Sequence, residues 1–447
     1  MTHRLVVIGA DAAGMSAAHQ ALRTARRLGR ELSVTVLESS GHTSYSACGI
    51  PYWLAGAVGS GDDLVARTAS QHREGGIDLR LHTRAESVDT ATRTVRLADG
   101  QTLGYDDLMI ATGATAIRPE WAADSPDIGA VKTLDDGAAW LDRFAAARPG
   151  ARVMVVGGSY IGVEVAEAAL ARGFDVELCT RSRVMSSLAP QLSARITQTL
   201  QEAGVTVREN CGVRGVDLQD GRLRGVHTRG GRVEADLMVV GVGVRPATAL
   251  GDLPVSANGA LRPDPRGQVG PGVWAAGDCC EVVNRVTGQW AYLPLGTHAN
   301  KAGRAAGDAI AGGDLRFDGA LGTAITRFAH GAAYVEIGHT GIGVDEARAA
   351  GFDPVWRLTE GTTASGYMPE AEPIAIWVLA DRTSRRLLGV QVVGGRGAAK
   401  RVDAAAAVLW HEGTVDDLAW MDLSYAPPFA TAWEILQVAA RRCAEAM

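Results

Sequence analysis

"RLVVIGADAAGMSAAHQAL", residues 4–22, is the stretch that decides the fold. An apolar strand runs into a turn with Gly9 and Gly14 and then into a helix, and "LSVTVLE" (32–38) follows as a second strand that ends in Glu38. This pattern predicts a βαβ unit that binds a dinucleotide, with the pyrophosphate at the helix N-terminus and the ribose hydroxyls on the acid. The middle glycine of the G-x-G-x-x-G pattern is absent, so the glycines alone are a weak signal. The acidic residue Glu38, 24 positions after Gly14, strengthens the prediction of a dinucleotide site.

The same pattern returns at "RVMVVGGSYIGVEVAEAAL", residues 152–170. Gly157 and Gly162 hold the outer glycine positions, Ser159 replaces the middle one, and the second strand, "DVELCT" (175–180), ends without an acid. Two such units predict two bound nucleotides. From about residue 320 the sequence predicts strands followed by helices, which indicates a separate α+β domain.

Composition excludes several classes of protein. The chain has 447 residues, 47% of them hydrophobic and 21% charged, and its net charge of −6 gives no global sign of nucleic acid or an anionic membrane as partner. The N-terminus "MTHRLVVIGA" lacks a signal-peptide core, and no uninterrupted apolar run reaches the roughly 18 residues of a membrane span. The six cysteines form neither a Cys-x-x-Cys pair nor a zinc-type cluster. We therefore expect a cytoplasmic protein without a metal site.

Taken in order, the motifs resemble those of the pyridine nucleotide-disulfide oxidoreductases, over essentially the whole chain. Within them the chain is similar to the single-cysteine branch, which includes coenzyme A disulfide reductases, NADH oxidases and NADH peroxidases. The motifs that carry the resemblance are "VVIGADAAG" (6–14), Glu38, "SYSACGIPY" (44–52), "ATGA" (111–114), "GGSYIGVEVAE" (157–167), "AAGD" (275–278) and "SYAPPF" (424–429).

The resemblance implies an α/β fold with two Rossmann-like dinucleotide-binding domains and a C-terminal α+β dimerisation domain. The FAD domain is expected at 1–115 and 245–318, the NAD(P)H domain at 116–244 and the dimerisation domain at 319–447. The protein is accordingly expected to be a homodimer that binds FAD and either NADPH or NADH.

Cys48 is the redox-active residue that the resemblance implies. In this branch the single cysteine lies against the flavin, and its partner is external: a small thiol in a mixed disulfide, or an oxygen in a sulfenic acid. An inert buried cysteine is the alternative. If Cys48 reacts, it does so as the thiolate, and we expect local positive ends to lower its pKa.

The resemblance also implies which residues hold FAD. Asp278 would bind the ribityl chain, although it could also cap a helix, while Cys279 and Cys280 are interpreted as packing residues. The remaining positions expected at the flavin are Gly9, Ala13, Gly14, Glu38, Ser44, Ala111, Thr112, Gly113, Gly277 and Ala299.

Tyr160 matches a family tyrosine that covers the nicotinamide pocket and moves aside when the nucleotide binds. The resemblance implies the same role for Tyr160. The alternative for Tyr160 is an ordinary aromatic residue at a helix start. The alternative for Glu164 is a solvated helix residue.

Thr180, Arg181 and Arg183 end the second strand of this unit. Threonine followed by two arginines favours NADPH, because arginine binds phosphate through forked donors. The alternative is that these arginines lie on a solvated loop. The expected contacts are Gly157, Tyr160, Ile161, Gly162, Glu164, Thr180, Arg181, Arg183 and Gly243.

Two sets of residues are candidates for the substrate. Arg23, Arg26 and Arg27 fall at i, i+3 and i+4 on the first helix, in a region with which the coenzyme A branch holds the ADP part of its substrate; a solvated face is the alternative. Ser44 is a further candidate contact. Tyr367 and Tyr425 match two tyrosines that in the coenzyme A branch reach the cysteine of the partner subunit, with interface packing as the alternative.

Two departures from the family pattern limit the choice of reaction. Ala12 replaces the histidine that NADH oxidases and peroxidases carry in the first glycine turn, and Ala47 replaces the asparagine that precedes the cysteine in coenzyme A reductases. We expect an FAD-dependent NAD(P)H:disulfide reductase, with coenzyme A disulfide as the first choice of substrate and a per- or polysulfide as the second. An NAD(P)H oxidase that reduces oxygen and a redox-sensing flavoprotein are the alternatives.

Overall fold

The computed structural model describes residues 2–447, and its first 120 residues form the start of one nucleotide-binding unit. Its strands are β1 (His3–Ile8), β2 (Leu32–Leu37), β3 (Ile77–Arg80), β4 (Ala85–Asp89), β5 (Thr94–Leu97), β6 (Thr102–Gly104), β7 (Asp107–Ile110) and β8 (Ala114–Ala116). Its helices are α1 (Ala12–Arg27), α2 (Ile50–Ala55) and α3 (Ala69–Glu74). Short 3₁₀ turns occupy Ala47–Gly49 and Gly61–Leu64.

The second nucleotide-binding unit follows. Its strands are β9 (Ile128–Gly129), β10 (Arg152–Val156), β11 (Asp175–Cys179), β12 (Thr206–Arg208), β13 (Val213–Gln219), β14 (Arg222–Thr228), β15 (Gly231–Val233), β16 (Leu237–Val240) and β17 (Val244–Pro246). Its helices are α4 (Leu134–Ala146), α5 (Tyr160–Ala171) and α6 (Pro190–Glu202).

The chain then returns to the first unit and ends in the C-terminal domain. The returning elements are β18 (Gln268–Gly270), β19 (Val273–Ala275), β20 (Val282–Val283), β21 (Trp290–Ala291) and α7 (Gly296–Ile310). The C-terminal elements are β22 (Ala324–His330), β23 (Ala333–Gly341), α8 (Val344–Ala349), β24 (Pro354–Thr362), β25 (Pro373–Asp381), β26 (Leu387–Gly394), α9 (Val402–Trp410), α10 (Val415–Trp420) and α11 (Ile435–Ala444).

Two sheets give the molecule its doubly wound character. The first has the order β18-β19-β7-β1-β2-β3 and is parallel except for β18, and the second, β12-β11-β10-β16-β9, is parallel throughout. The strands β1 and β10 lie inside their sheets, so their apolar residues are covered on both faces, as expected for parallel sheets. In each sheet the glycine turn after the inner strand therefore lies at the carboxyl edge, where ligands bind in this kind of fold.

The two nucleotide-binding units are joined by a pair of antiparallel strands. Ala116 of β8 is the partner of Val244 of β17, so the chain enters and leaves the second unit side by side. This pair lies at both predicted domain boundaries, which themselves remain a prediction.

The C-terminal domain is a five-stranded antiparallel sheet of order β22-β23-β26-β25-β24, with α9 and α11 packed on it. Nearly all residues of β25 and β26 are buried. The predicted fold class, two Rossmann-like units and a C-terminal α+β domain, is confirmed. Within residues 2–447, none of the helices has both the length and the apolar content that crossing a bilayer requires.

Candidate functional site

The first glycine turn forms one wall of a nucleotide-sized cavity of about 350 Å³. Gly9 has φ of +107°, and a methyl group there would overlap the carbonyl oxygen of Ala111; one on Gly14 would overlap the carbonyl oxygen of Gly9. Both positions therefore require glycine. The cavity also contains Thr112 and Gly113 at the end of β7. These residues fit the dinucleotide that the sequence predicts here.

Glu38 lies at the end of β2, where the sequence places the ribose-binding acid. One carboxylate oxygen accepts a hydrogen bond from the backbone N–H of Ala10 at 3.0 Å and the other from that of Ser40 at 2.8 Å. These bonds fix the carboxylate against the glycine turn, in the wall of the same cavity.

Gly277, Ala13 and Ala299 meet on the far side of this turn. Gly277 has φ of +90°, and a methyl group on it would lie 2.9 Å from the Cβ atom of Ala13 and 3.6 Å from that of Ala299. Small residues are needed at all three positions because α1, α7 and the turn after β19 converge there.

The position of Asp278 excludes the alternative interpretation of this residue as a helix cap. It lies in a turn between β19 and β20, and the next helix, α7, begins only at Gly296, so Asp278 caps no helix. Its carboxylate instead pairs with the ammonium of Lys132 at 3.3 Å. The neighbouring Cys279 and Cys280 are buried, as expected of packing residues, with sulfur atoms 3.7 Å apart.

Lys132 is a site residue that sequence reasoning missed. It lies in the loop before α4 and lines the same cavity as Glu38. The composition of the chain offers one sequence signal for this residue. Of the 44 lysines and arginines only three are lysines, and Lys132 is one of them. A compact ammonium held between a carboxylate and a nucleotide cavity is a placement that arginine would not reproduce.

Asp11 is unusual for a residue at a helix start. It precedes α1, yet its side chain makes no capping hydrogen bond, and one carboxylate oxygen is buried without a partner among the described residues. Burial raises the pKa of Asp11 to about 6, and the opposing backbone hydrogen bond of Tyr45 is the next largest influence. Asp11 and Tyr45 line both the nucleotide cavity and a second cavity beside it.

Cys48 lies in the 3₁₀ turn Ala47–Gly49 at the start of α2. All six cysteines are free thiols, and Cys48 is the exposed one while the other five are buried. The two residues before Cys48 line different cavities. Ala47 lines the nucleotide cavity, and Ser46 lines the second cavity beside it.

The surroundings of Cys48 do not lower its pKa, contrary to expectation. Partial burial raises the pKa of the thiol, the nearby carboxylate of Glu164 raises it further, and the ammonium of Lys132 opposes both. Asp278, the ion-pair partner of Lys132, adds to the rise. Lys132 is therefore the protein group that most favours the thiolate.

The second cavity, of about 520 Å³, has a cationic wall. Arg23, Arg67 and Arg304 line it, and Asp11 is its one acidic residue. Arg26 instead donates to the carbonyl oxygen of Gly75, and Arg27 lies 3.6 Å from Asp308. Of the three arginines predicted to share one face of α1, only Arg23 therefore lines this cavity.

Ser44 belongs to a chain of hydrogen bonds in this wall. Arg67 donates to Nε2 of His19 at 3.0 Å, so that nitrogen is an acceptor, and Nδ1 of His72 must be the donor across 2.8 Å. Nε2 of His72 then accepts from the hydroxyl of Ser44 at 3.0 Å. Burial lowers the pKa of His72 to about 4, with further contributions from His19 and Arg67, which agrees with a neutral ring. The lone pairs of Ser44 are left to accept hydrogen bonds from a ligand.

The second glycine turn repeats the geometry of the first. Gly157 has φ of +119°, and methyl groups on it and on Gly162 would overlap the carbonyl oxygens of Gly241 and Gly157. Gly243, also at positive φ, lies between β16 and β17. Thr180 is buried at the end of β11, Arg181 is exposed, and Nε of Arg183 has no partner among the described residues.

Tyr160, Ile161 and Glu164 open helix α5. The phenol of Tyr160 lies 2.7 Å from Nδ1 of His339, and Thr326 donates to Glu164 at 2.7 Å. Burial raises the pKa of Glu164 to about 7, against the lowering effect of Thr326. Glu164 is therefore not the solvated helix residue of the alternative interpretation.

Tyr367 and Tyr425 lie on the surface of the C-terminal domain, 75% and 51% exposed. Neither lines the cavity beside Cys48 in its own chain. They share this exposure with Phe429, Trp420 and Trp433, the last two packed edge to face at 5.6 Å.

Comparison with known proteins gives two matches to sequence families. Residues 3–303 match the profile of the pyridine nucleotide-disulphide oxidoreductases, and residues 332–436 match the dimerisation domain of the same proteins. A similar curated protein is the NAD(P)H sulfur oxidoreductase (CoA-dependent) of Pyrococcus abyssi, 34% identical over 98% of this chain and 97% of its own length. The coenzyme A disulfide reductase of Staphylococcus haemolyticus is 28% identical over 96% of both chains.

Solved structures of similar proteins superpose on nearly the whole chain. An NAD-dependent persulfide reductase from A. fulgidus superposes with a TM-score of 0.93 at 28% identity, covering 99% of this chain and 83% of that one. An engineered water-forming NADPH oxidase, derived from the Lactobacillus brevis NADH oxidase, superposes with a TM-score of 0.92 at 26% identity, over 99% and 98% of the two chains.

Proposed function

The chain belongs to the pyridine nucleotide-disulphide oxidoreductase family, and from that premise we propose that it reduces coenzyme A disulfide, or a persulfide of the same thiol, with Cys48 as its redox group. FAD and a nicotinamide nucleotide are the cofactors of this family. The observation that carries the proposal is the position of Cys48. It is the exposed thiol, and its neighbours line the nucleotide cavity on one side and the cationic cavity on the other.

The charge of the second cavity supports an anionic thiol as substrate. Three arginines converge there in a protein of net charge −6, and guanidinium groups bind phosphates through paired donors. Ser44 presents an acceptor on the same wall. The coenzyme A dependence named for the Pyrococcus abyssi relative agrees with this chemistry.

The chemistry of the thiol follows from its surroundings. The thiolate of Cys48 attacks one sulfur of the substrate R–S–S–R, forming Cys48–S–S–R and releasing one R–S⁻, which takes a proton from the medium. FAD, which the turn of Gly9 and the carboxylate of Glu38 would hold, and NAD(P)H would supply the electron pair. With that pair the mixed disulfide would be cleaved, the second thiol would leave and the thiolate of Cys48 would be restored. Lys132 favours the anionic sulfur in both steps. The balance is one NAD(P)H and one proton consumed for two thiols.

We further propose NADPH as the preferred nucleotide. Thr180 ends β11 where an acid would repel a 2′-phosphate, and Arg181 is exposed beside it. The engineered NADPH oxidase offers a parallel, because its substitutions replace consecutive aspartate, alanine and methionine residues with alanine, arginine and serine. This chain has threonine, arginine and serine in a row at the end of β11.

A homodimer completes the proposed site. The match to the dimerisation domain and the exposed aromatic group around Tyr425 support pairing through the C-terminal domain. In this arrangement Tyr425 and Tyr367 would reach Cys48 of the other subunit, where a phenol assists a leaving thiolate by hydrogen bonding.

The test is anaerobic turnover with coenzyme A disulfide, counting thiols released per NADPH consumed. We expect two thiols per NADPH, loss of the reaction in Cys48→Ser, and retention of bound flavin by that variant. Arg23→Ala should raise KM for the disulfide, while Arg26→Ala, on the same helix but away from the cavity, serves as the control. Disulfide reduction at near wild-type rate by Cys48→Ser would refute the mechanism.

Two other outcomes identify the alternatives. Rapid aerobic consumption of NADPH with water or peroxide as product, and no thiol, would indicate an oxidase. Steady-state rates near zero with every disulfide would favour a redox-sensing flavoprotein.

A further inference from the structure

Tyr160 and His339 form a hydrogen bond between two parts of the fold. Tyr160 is the first residue of α5 in the second nucleotide unit, and His339 belongs to β23 of the C-terminal sheet; the phenol oxygen lies 2.7 Å from Nδ1. Burial lowers the pKa of His339 to about 4 and raises the pKa of Tyr160. At neutral pH the imidazole is therefore uncharged and the phenol is protonated; we assign the phenol as the donor and Nδ1 of His339, in the Nε2–H tautomer, as the acceptor.

The bond is one of three that tie a single face of α5 to the β22–β23 hairpin. Tyr160, Glu164 and Glu167 are four and three residues apart and therefore share a helix face. Thr326 donates to Glu164 at 2.7 Å, and the backbone N–H of Ala329 donates to Glu167 at 2.8 Å. The two acidic contacts hold the helix itself, whereas the contact of Tyr160 is made by a ring at the very end of the helix.

That end of α5 adjoins both the second glycine turn and the redox thiol. Tyr160 follows Gly157 by three residues, and Glu164, one turn further along, lies close enough to raise the pKa of Cys48. On the other flank, α5 packs against α2, the helix that follows Cys48. Tyr160 therefore begins a helix that follows the second glycine turn and packs on the helix next to the proposed redox thiol.

We propose that His339 is a positioning residue that holds the ring of Tyr160 in place over the nicotinamide pocket, so that nucleotide binding must break the Tyr160–His339 hydrogen bond. The inference rests on the proposed function, which places the nicotinamide beside Tyr160. When the ring moves, Nδ1 of His339 is left without its donor in a partly buried position, which opposes nucleotide binding. A hydrogen bond of ordinary net strength corresponds to a factor of about two to ten in a dissociation constant. The transfer of electrons after binding does not involve His339.

The test separates binding from electron transfer. In anaerobic stopped-flow experiments on the flavin-loaded protein, flavin bleaching is followed as a function of NADPH concentration. His339→Phe keeps a ring and removes the acceptor, so we expect the apparent dissociation constant of NADPH to fall about two- to tenfold while the limiting rate stays within twofold. His339→Gln, which keeps an acceptor, should return the constant toward the wild-type value.

Tyr160→Phe examines the same bond from the donor side and keeps the test valid if His339→Phe folds poorly. It should tighten NADPH binding to a similar extent, and the double variant should add nothing further, because both substitutions remove one bond. Unchanged dissociation constants in both single variants, or strictly additive effects, would overturn the proposal. Cys48-dependent disulfide turnover that persists in those variants would leave the proposed function standing, so the two failures are distinguishable.

Discussion

Gly303 of α7 passes so close to Ala13 of α1 that a methyl group on Gly303 would overlap the carbonyl oxygen of Ala13. Gly307, one turn later, meets Ala17 in the same way. The backbones of α1 and α7 therefore pack directly against each other, without side chains between them. This contact lies next to the point where Ala13, Gly277 and Ala299 meet.

Gly303→Ala is expected to destabilise the protein although alanine is the better helix former. Separating α1 from α7 costs about 1–3 kcal/mol, as other overpacked sites do, which exceeds the gain of about 1 kcal/mol in helix propensity. Thermal unfolding and the ratio of flavin to protein absorbance would measure the effect. Gly270→Ala, where the added methyl group meets nothing within 4 Å, should leave both unchanged; equal behaviour of the two variants would contradict the packing argument.

Arg181→Glu is expected to shift preference from NADPH toward NADH. The new carboxylate would repel a 2′-phosphate and can accept hydrogen bonds from a 2′-hydroxyl. The measurement is the ratio of kcat/KM for the two nucleotides, with Arg214→Glu, an exposed residue of β13 in the same unit, as the charge-matched control. A ratio that changes less than about twofold, under 0.5 kcal/mol, would show that the end of β11 does not recognise the phosphate.

Asp11→Asn is expected to stabilise the flavin-free protein at neutral pH but not at acid pH. The pKa of Asp11 is raised to about 6 in the fold, so the folded state holds its proton more tightly than the unfolded chain does. The ionised carboxylate therefore opposes folding by an amount that is absent below about pH 4 and grows as pH rises through 6, to roughly 2–3 kcal/mol at most. Melting temperatures of variant and wild type should coincide near pH 4 and diverge by pH 7.5.

The exposed carboxylate of Asp252 provides the control for this pH dependence. Asp252→Asn removes one exposed carboxylate and measures, at both pH values, the effect of that change of charge without burial. If Asp11→Asn behaves in the same way, burial does not perturb its carboxylate.

Tyr425→Phe is expected to slow disulfide turnover by on the order of tenfold, the scale of lost acid–base assistance, without altering dimer packing, because the ring remains. Flavin reduction by NADPH should be unchanged, since the proposed role of the phenol is limited to the departure of thiols. Steady-state assays beside stopped-flow bleaching would separate the two steps. Equal losses in both would point to a disturbed fold, and no loss in either would leave Tyr425 a packing residue.

The local elements of the fold could be predicted from sequence because their causes are local. Gly9 and Gly157 both adopt positive φ, as the turn pattern requires, and Glu38 ends β2 where its spacing from the glycines places it. Strand, turn and helix follow one another within some thirty residues, so the sequence itself carries the geometry.

What could not be predicted depends on contacts between distant parts of the chain. Lys132 meets Asp278 across 146 positions and Tyr160 meets His339 across 179. Tyr160 and Asp278 lie in recognisable motifs, but Lys132 and His339 do not, so the sequence does not indicate which residues pair. The alternative interpretation of Asp278 as a helix cap was wrong because β20 and β21 separate it from α7, while its predicted contact with FAD stays a prediction. The expected fall in the pKa of Cys48 was wrong because burial and Glu164 outweigh Lys132.

The antiparallel pairing of β8 with β17 has a consequence for how such proteins diversify. Ala116 and Val244 are cross-strand partners, so the two ends of everything between them are about 5 Å apart. A coding segment that starts after one strand and stops before the other can be exchanged at this joint, provided that its product also matches α2 and β22, which α5 contacts. The joint therefore keeps the two chain ends of the second unit in place, while α2 and β22 restrict which replacement surfaces can pack there.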